Sequence, residues 1–415
     1  MTKFTRIIFI IFLTLFCRVA GAQNTDQNFI TIADIHFTPF AACIGKFMPC
    51  VALDELMHAD AQNWQTIFEK YDQAPTQYRQ DTNYPLLKVS IEKFKQMQVT
   101  EHPRFVLVLG DFLAHDFHQM YIKYSSDKTG RNYPQFVKKT LQFITQQFAQ
   151  AFPTTDVYCA VGNNDSDKDD YYTTQSFFKL IAPDWASLIK NPQNKLYFLE
   201  QFPKGGYYSV IVPNEPQSRI LVLNTVLFSQ NALGNNITAA AYNELSWLNS
   251  QLKLSVTQHQ KVILAAHIPM DLPIDLPIHS LLSFFGWNEM TFWKPKYTAA
   301  FKKIITQYPN NITSILTGHL HMDGYANIEL DNQKIIPLIR ITAISPIFGN
   351  HPGFKMFSYN PQTFEITNFV NYSYILHYSA PSLTWWREEY NFRGQYQTRC
   401  PQCRVVDGIK FLSQK

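Results

Sequence analysis

Seven side chains in this sequence have the types and spacing needed for metal-assisted hydrolysis: Asp34 with His36, Asp111, Asn163, His267, and His319 with His321. Asp34 and His36 stand two apart, as do His319 and His321. In an extended segment such pairs project to the same side, so both members reach one cation. Two carboxylates, one amide oxygen and four imidazoles make a donor set of intermediate softness. It suits zinc first, with manganese or iron as alternatives, better than calcium or magnesium. Two such cations about 3.5–4 Å apart, bridged by Asp111, would share a water that ionises near neutral pH. Bulk water has a pKa of about 15.7 and zinc-bound water about 7, a difference of roughly 12 kcal/mol that no protein base need supply.

Each of these groups follows a short apolar run that reads as a buried strand. FITIA leads to Asp34 and His36, FVLVL to Gly110-Asp111, VYCAV to Gly162-Asn163-Asn164-Asp165, VILAA to His267, and ITSIL to Gly318-His319-Leu320-His321. Active sites of open α/β sheets collect at the carboxyl ends of strands. Taken singly the motifs are weak: an isolated D-x-H is ordinarily a solvated strand end, and Gly-Asn-Asn-Asp is an ordinary turn. His115, in GDFLAHD, is close enough in sequence to reach the same cleft, although a lone histidine there is more often a surface loop residue.

The connecting segments supply the helices. Tyr84 to Met97 has helical spacing through Leu87, Ile91 and Phe94, and a second helix runs from Asn132 to Ala151. A helix is expected over Tyr171 to Ile181, and another capped by Thr238 with Tyr242, Leu245, Leu248 and Leu252 on its apolar face. Tyr207–Val212 and Arg219–Thr225 read as a strand pair. The acidic run Asp165 to Asp170 reads as a solvated loop, since it lacks the glycine and terminal glutamate of a calcium loop. Residues 271–293 are expected to roof the cleft, residues 335–369 to form three strands of a second sheet, and the tail from Asn371 to wrap irregularly over the main domain. The alternation of strand and helix indicates a layered α/β fold.

Composition narrows the class further. The 415 residues, 46% of them hydrophobic, can fill a sizeable core, and the formal charge of +4 is scattered, giving no patch for a nucleic-acid duplex. Lys3 and Arg6, an apolar run from Ile7 to Cys17 and Ala20-Gly21-Ala22 read as a cleaved signal peptide over residues 1–22. The run is too short for a bilayer-spanning anchor, so no transmembrane segment is expected after cleavage and export admits disulfides. Cys43–Cys50 and Cys400–Cys403 are plausible local loops with Cys159 left as a buried thiol, although the CPQC spacing also occurs in zinc and redox sites. Asn236, Asn311 and Asn371 begin glycosylation sequons. The expected layout is the signal peptide, a catalytic domain over 23–370 and a packing segment over 371–415.

The order D-x-H, G-D, G-N-N-D, a lone H and G-H-x-H resembles the calcineurin-like metallophosphoesterase superfamily. Within it, GDFLAHD, GGYYSV, HIP, GHLHMDGY, ISPIFGNHPGFKMFSY and TWWREEYNF are similar to the acid sphingomyelinase-like phosphodiesterases. The resemblance implies a four-layer αββα sandwich of two mixed sheets flanked by helices, with a dinuclear metal site at strand ends. It implies that Asp34, His36, Asp111 and His321 bind one metal and Asp111, Asn163, His267 and His319 the other. By the same likeness His115 stands near the leaving group, and no amino-terminal saposin module fits in the chain. Many members carry GNH where this chain has Gly162-Asn163-Asn164, and an amide cannot give up a proton. His115 is then the candidate acid, with Asn164, and less readily His351, orienting the phosphate.

The expected function is a secreted phosphodiesterase acting by a metal-bridging hydroxide on sphingomyelin-like lipids or nucleotide derivatives. Asn164 keeps open a phosphoanhydride substrate, as for an endopolyphosphatase or nucleotide phosphohydrolase. A non-catalytic metal-binding interaction protein is the alternative from another class, and the complete ligand set argues against it.

Overall fold

The computed structural model describes residues 26–46, 49–72, 74–270, 292–330, 333–376, 385–396 and 404–413. The signal peptide, the Cys400–Cys403 loop and most of the expected roof over 271–293 lie outside the described residues.

Among the described residues, twelve strands form two six-stranded sheets. In chain order they are β1 (Gln27–Ile32), β2 (Phe105–Leu109), β3 (Asp156–Ala160), β4 (Tyr208–Ile211), β5 (Ser218–Val222), β6 (Lys261–Ala265), β7 (Ile312–Thr317), β8 (Gly324–Glu329), β9 (Ile335–Arg340), β10 (Gly353–Tyr359), β11 (Ile366–Ile375) and β12 (Trp385–Asn391). The first sheet has the order β12-β11-β10-β1-β2-β3 and the second β4-β5-β6-β7-β9-β8. β1, β2 and β3 are parallel, as are β5, β6, β7 and β9, while the outer strands are antiparallel, so both sheets are mixed.

The period-two alternation of β6 shows the layering. Ile263 and Ala265 join the core between the sheets, whereas Val262, Leu264 and Ala266 join a second core under the helices Ile237–Thr257 and Pro295–Ile305. Helices Tyr84–Glu101 and Tyr133–Ala151 cover the first sheet with Leu87, Ile91, Phe94, Phe136, Leu141 and Phe148. The result is the expected four-layer αββα sandwich. Asn83 starts the first of these helices by accepting from the Leu86 N–H, with Pro85 in the first turn.

Several local expectations are corrected. The helix placed at Tyr171 begins at Gln175, where the Thr174 hydroxyl accepts from the Phe177 N–H, because Tyr172 is held in a bridge to Leu233. Thr238 lies inside its helix rather than capping it: the cap is Asn236, at φ 60°, and Tyr242 is 44% exposed while Ala241 takes the buried stripe. Of the strands expected over 335–369, only β9 belongs to the second sheet; β10 and β11 return to pair with β1 and each other. The tail is not irregular from Asn371, which sits inside β11, and β12 extends the same sheet. Asn371 is also fully buried, its amide nitrogen donating to Glu389, so its sequon is closed in the folded chain. Cys43 and Cys50 form a disulfide and Cys159 is a buried free thiol.

Candidate metal centre

Five strands from the two sheets end facing one another, and the loops after them turn sharply. Asp34, His36, Asp111, His319 and His321 all have positive φ, between 44° and 73°. For residues with a Cβ this left-handed backbone costs of order 1 kcal/mol each, and such strain persists at sites that need a particular side-chain direction. Glycines make the close approach possible: a Cβ on Gly162 would lie 2.1 Å from Asp111 Oδ1, and one on Gly110 would lie 2.8 Å from His267 Nδ1.

All seven expected ligands come together. Asp111 Oδ2 lies 3.4 Å from His36 Nε2 on one side and 3.1 Å from His267 Nε2 on the other. On the first side His321 Nε2 is 3.0 Å from His36 Nε2 and 3.7 Å from Asp34 Oδ1. On the second side Asn163 Oδ1 is 3.0 Å from His267 Nε2, and ligand atoms of Asp111, His267 and His319 lie within 4.8 Å of one another. Asp34, in turn, accepts from the His319 N–H at 2.9 Å, tying the two sheets together.

The imidazole tautomers are set from behind. His36 Nδ1 is 3.0 Å from the Leu113 carbonyl and His267 Nδ1 is 2.7 Å from the Leu109 carbonyl, so each Nδ1 carries its hydrogen and each Nε2 faces the centre. Burial, reinforced by His115, holds His36 and His321 well below the usual histidine range, and burial with His267 brings His319 down to about 3. These rings are neutral, with lone pairs free to bind metal. Burial raises Asp34 to about 7 against the pull of His267. At Asp111 burial is outweighed by His267 and His36, which hold the carboxylate well below its usual range, and His267 is reciprocally pushed up to about 9.

This donor set fits two divalent cations. Two buried carboxylates pair only with histidines, and no lysine or arginine among the described residues forms an ion pair with either. Two imidazole nitrogens 3.0 Å apart also satisfy each other only if one holds a proton, whereas a cation between them satisfies both.

His115 stacks on His36 with centroids 3.9 Å apart and has a ring nitrogen within 4.8 Å of those of His36 and His321. Its backbone N–H and Nδ1 both meet the Asp81 carboxylate, at 2.9 and 3.1 Å, and Asp81 also accepts from the Ser345 hydroxyl. Burial opposes the charged ring, but Asp81 outweighs it and raises His115 to about 9. Asp81 was missed in the sequence because it is 34 residues from His115 and belongs to no motif.

Asn164 is turned towards Asp111. Its backbone N–H and side-chain NH₂ both donate to Asp111 at 2.8 Å, fixing the carboxylate that the two halves share. His351 is committed elsewhere, its Nδ1 2.5 Å from the Tyr78 hydroxyl. Asp165 is not solvated: it is buried, and its carboxylate accepts from the N–H groups of Asp111, Phe112, Leu113 and Gly162. A carboxylate two places beyond the Asn163 ligand was the signal, obscured by the acidic residues after it.

The chain is similar in sequence to known phosphodiesterases. A protein named sphingomyelinase phosphodiesterase D from Dictyostelium discoideum is 25% identical over 94% of this chain and 84% of its own length. Acid sphingomyelinase-like phosphodiesterase 3b from Homo sapiens is 24% identical over 91% of this chain and 77% of its own. Cyclic GMP-AMP phosphodiesterase SMPDL3A from Bos taurus is 26% identical over 61% of this chain and 55% of its own. The model of the calcineurin-like phosphoesterases matches residues 28–323, from the first strand through both terminal histidines, and the chain belongs to that family.

Proposed function

We propose that the chain is an exported phosphodiesterase that hydrolyses small-molecule phosphodiesters, of sphingomyelin-like lipids or nucleotide derivatives, with two divalent cations, zinc first among them. The observation that carries this reading is the Asp111 carboxylate flanked by His36 and His267 at 3.4 and 3.1 Å, with the His115–Asp81 pair beside it. The Cys43–Cys50 disulfide supports export, and no helix among the described residues is long and apolar enough to cross a membrane.

Cations in this cradle supply Lewis acidity, bringing a water's ionisation near neutral pH and offsetting charge on the phosphoryl oxygens. The chain's own groups do the rest. Leu113 and Leu109 aim the imidazoles, Asn164 and Asp165 fix Asp111 and its loop, and Asp81 orients His115, the candidate to give a proton to the departing ester oxygen. The phosphoanhydride reading rested on Asn164, whose donors are both turned to Asp111, so that residue no longer favours it.

The test is hydrolysis of bis(p-nitrophenyl) phosphate by purified protein with zinc or manganese, lost on chelation and restored by metal, followed by a panel of sphingomyelin, CDP-choline, ATP and polyphosphate. Turnover of diesters well above ATP and polyphosphate is expected. Protein that binds two metals and turns over none of these substrates would instead be a binding protein.

A further inference from the structure

The inward stripe of the helix Ile237–Thr257 includes Ala241, Leu245, Leu248 and Leu252, and with them Glu244, which is fully buried. One of its carboxyl oxygens accepts from the Asn224 N–H at 2.7 Å, and the other has no hydrogen-bond partner among the described residues. Asn224, just past β5, is fully buried as well. Its amide nitrogen donates to the Gly205 carbonyl at 2.9 Å, which fixes the orientation of the amide and leaves its oxygen unpartnered too. Two residues joined by one hydrogen bond thus each keep a buried oxygen to which nothing donates. Two acceptors cannot satisfy each other, whereas one hydrogen between them satisfies both, and a protonated carboxyl supplies it.

Among the described residues no cation offsets a charge at this place. The elements packed on the helix are residues 225–228, β5, β6 and the helix Pro295–Ile305, which carry Arg219, Lys261, Lys296, Tyr297, Lys302 and Lys303. Arg219 donates to Gln260, Ser209, Gln251 and Gln258, Lys261 donates to the Asn310 carbonyl, and none of these groups pairs with Glu244. Tyr207 feels Glu244 more closely, and burial first, then that neighbour, push it up to about 12. Burial holds Glu244 itself well above the usual carboxylate range, opposed by the Asn224 N–H.

The loop that Glu244 holds leads to the metal centre. Thr225, next to Asn224, accepts on its hydroxyl from the Ile268 N–H at 2.8 Å, and Ile268 follows His267. We infer that Glu244 is a positioning residue working as an uncharged hydrogen donor: it fixes Asn224 and, through Thr225 and the Ile268 N–H, the strand end that carries His267. The inference rests on His267 being a metal ligand, as in the function proposed above.

The experiment has two readouts. The first is denaturant unfolding of metal-stripped wild type and Glu244→Gln, whose NH₂ stands where the hydrogen would be, from about pH 5 to 8. An acid that is neutral in the fold and ionised in the unfolded chain loses stability as pH rises above its unfolded pKa of about 4.3 and until its folded pKa is reached, and glutamine does not. The ratio of the two folding constants should therefore move towards the glutamine protein by about tenfold per pH unit. A ratio independent of pH means that Glu244 is ionised in the fold, and overturns the inference. The second readout is zinc affinity at neutral pH, by titration against a competing chelator. Glu244→Leu, which strands both Asn224 groups, and Thr225→Val, which removes the acceptor for Ile268, should each weaken it by roughly tenfold or more, while Glu244→Gln stays within about threefold of wild type. Should Glu244→Leu not fold, Thr225→Val and the pH ratio decide. Zinc bound as tightly by Thr225→Val as by wild type overturns the positioning role while the proposed centre stands. A wild type that binds no zinc sinks that centre and the positioning role with it, and the pH ratio still judges whether Glu244 is uncharged.

Discussion

Among the places where the molecule buries charge, two are handled differently. In the strands that close the first sheet, Lys355 is fully buried with Asp323 at 2.5 Å, Asn371 Oδ1 at 3.2 Å and the Tyr390 hydroxyl at 3.3 Å, beneath the rings of Phe369 and Tyr390. Glu389 completes that cluster by accepting from Asn371 and Ser373. There the chain brings its own cation. At the metal centre Asp34 and Asp111 are as deeply buried, yet they face only imidazoles, of which His36, His319 and His321 are neutral. A buried carboxylate without a partner is costly. The contrast separates a structural network that includes its own cation from a cradle whose missing charge comes from outside. The two are near neighbours in the chain, since Asp323 follows His321 by two residues.

The comparison is broken most directly at Asp111. Asp111→Asn removes the charge shared by both halves, and diester turnover should fall by at least ~10³-fold while the fold survives, since the amide oxygen can still accept one of the two Asn164 bonds. Circular dichroism and turnover measured together check this; a modest loss would mean that the halves do not share the residue. Lys355→Met tests the other cluster. Removing Lys355 leaves the partly buried Asp323 without its cation, for a loss of about 1–3 kcal/mol in denaturant unfolding. The folded, metal-loaded fraction should keep its turnover within roughly threefold, as expected for separate sites. Loss of metal stoichiometry in that variant would show that the clusters form one unit.

Much of this arrangement was readable from local pattern. An apolar run ending in Asp, Asn or His marks a buried strand and the group delivered at its end, which is why β1, β2, β3, β6 and β7 and their ligands are legible. What was not legible depends on contacts made far along the chain. Asp165 looks like the start of a solvated acidic loop until the N–H groups of Asp111, Phe112 and Leu113, more than fifty residues earlier, are brought to it. Asn371 reads as a sequon, and its burial follows only from pairing with Lys355 and Tyr390 across strands of the same sheet. The division of β9 from β10 and β11 is invisible for the same reason, because strand pattern does not name the partner strand.

Asp165 sharpens the comparison by asking how far the cradle depends on its support. In Asp165→Asn one oxygen becomes an NH₂ facing two backbone donors, and an unsatisfied buried group costs about 1–3 kcal/mol. The Asp111 loop loses its fixed backbone, so metal affinity and turnover should drop by roughly 10–100-fold. Asp165→Glu, which keeps the charge and displaces it, should recover less than wild type but more than the amide. Equal stability loss with unchanged metal affinity would make Asp165 a packing residue only.

The smallest expected effect is the most discriminating, because it changes sign with the metal. Asp34 is fully buried, pairs with His36 and His321 at 4.0 and 3.7 Å, and has no lysine or arginine partner among the described residues. In metal-stripped protein at neutral pH its charge is a liability. Asp34→Asn preserves shape and can still accept from the His319 N–H, so the stripped variant should be more stable than the stripped wild type by about 1 kcal/mol. With metal present the same change removes a ligand, and the variant should gain less from zinc than the wild type does, since stabilisation follows affinity. Thermal unfolding of both proteins, with chelator and with zinc, resolves the crossing. A variant that is less stable in both conditions would mean that Asp34 holds the loops through its hydrogen bonds whatever its charge, and the distinction between a network with its own cation and a cradle awaiting charge would fail at that residue.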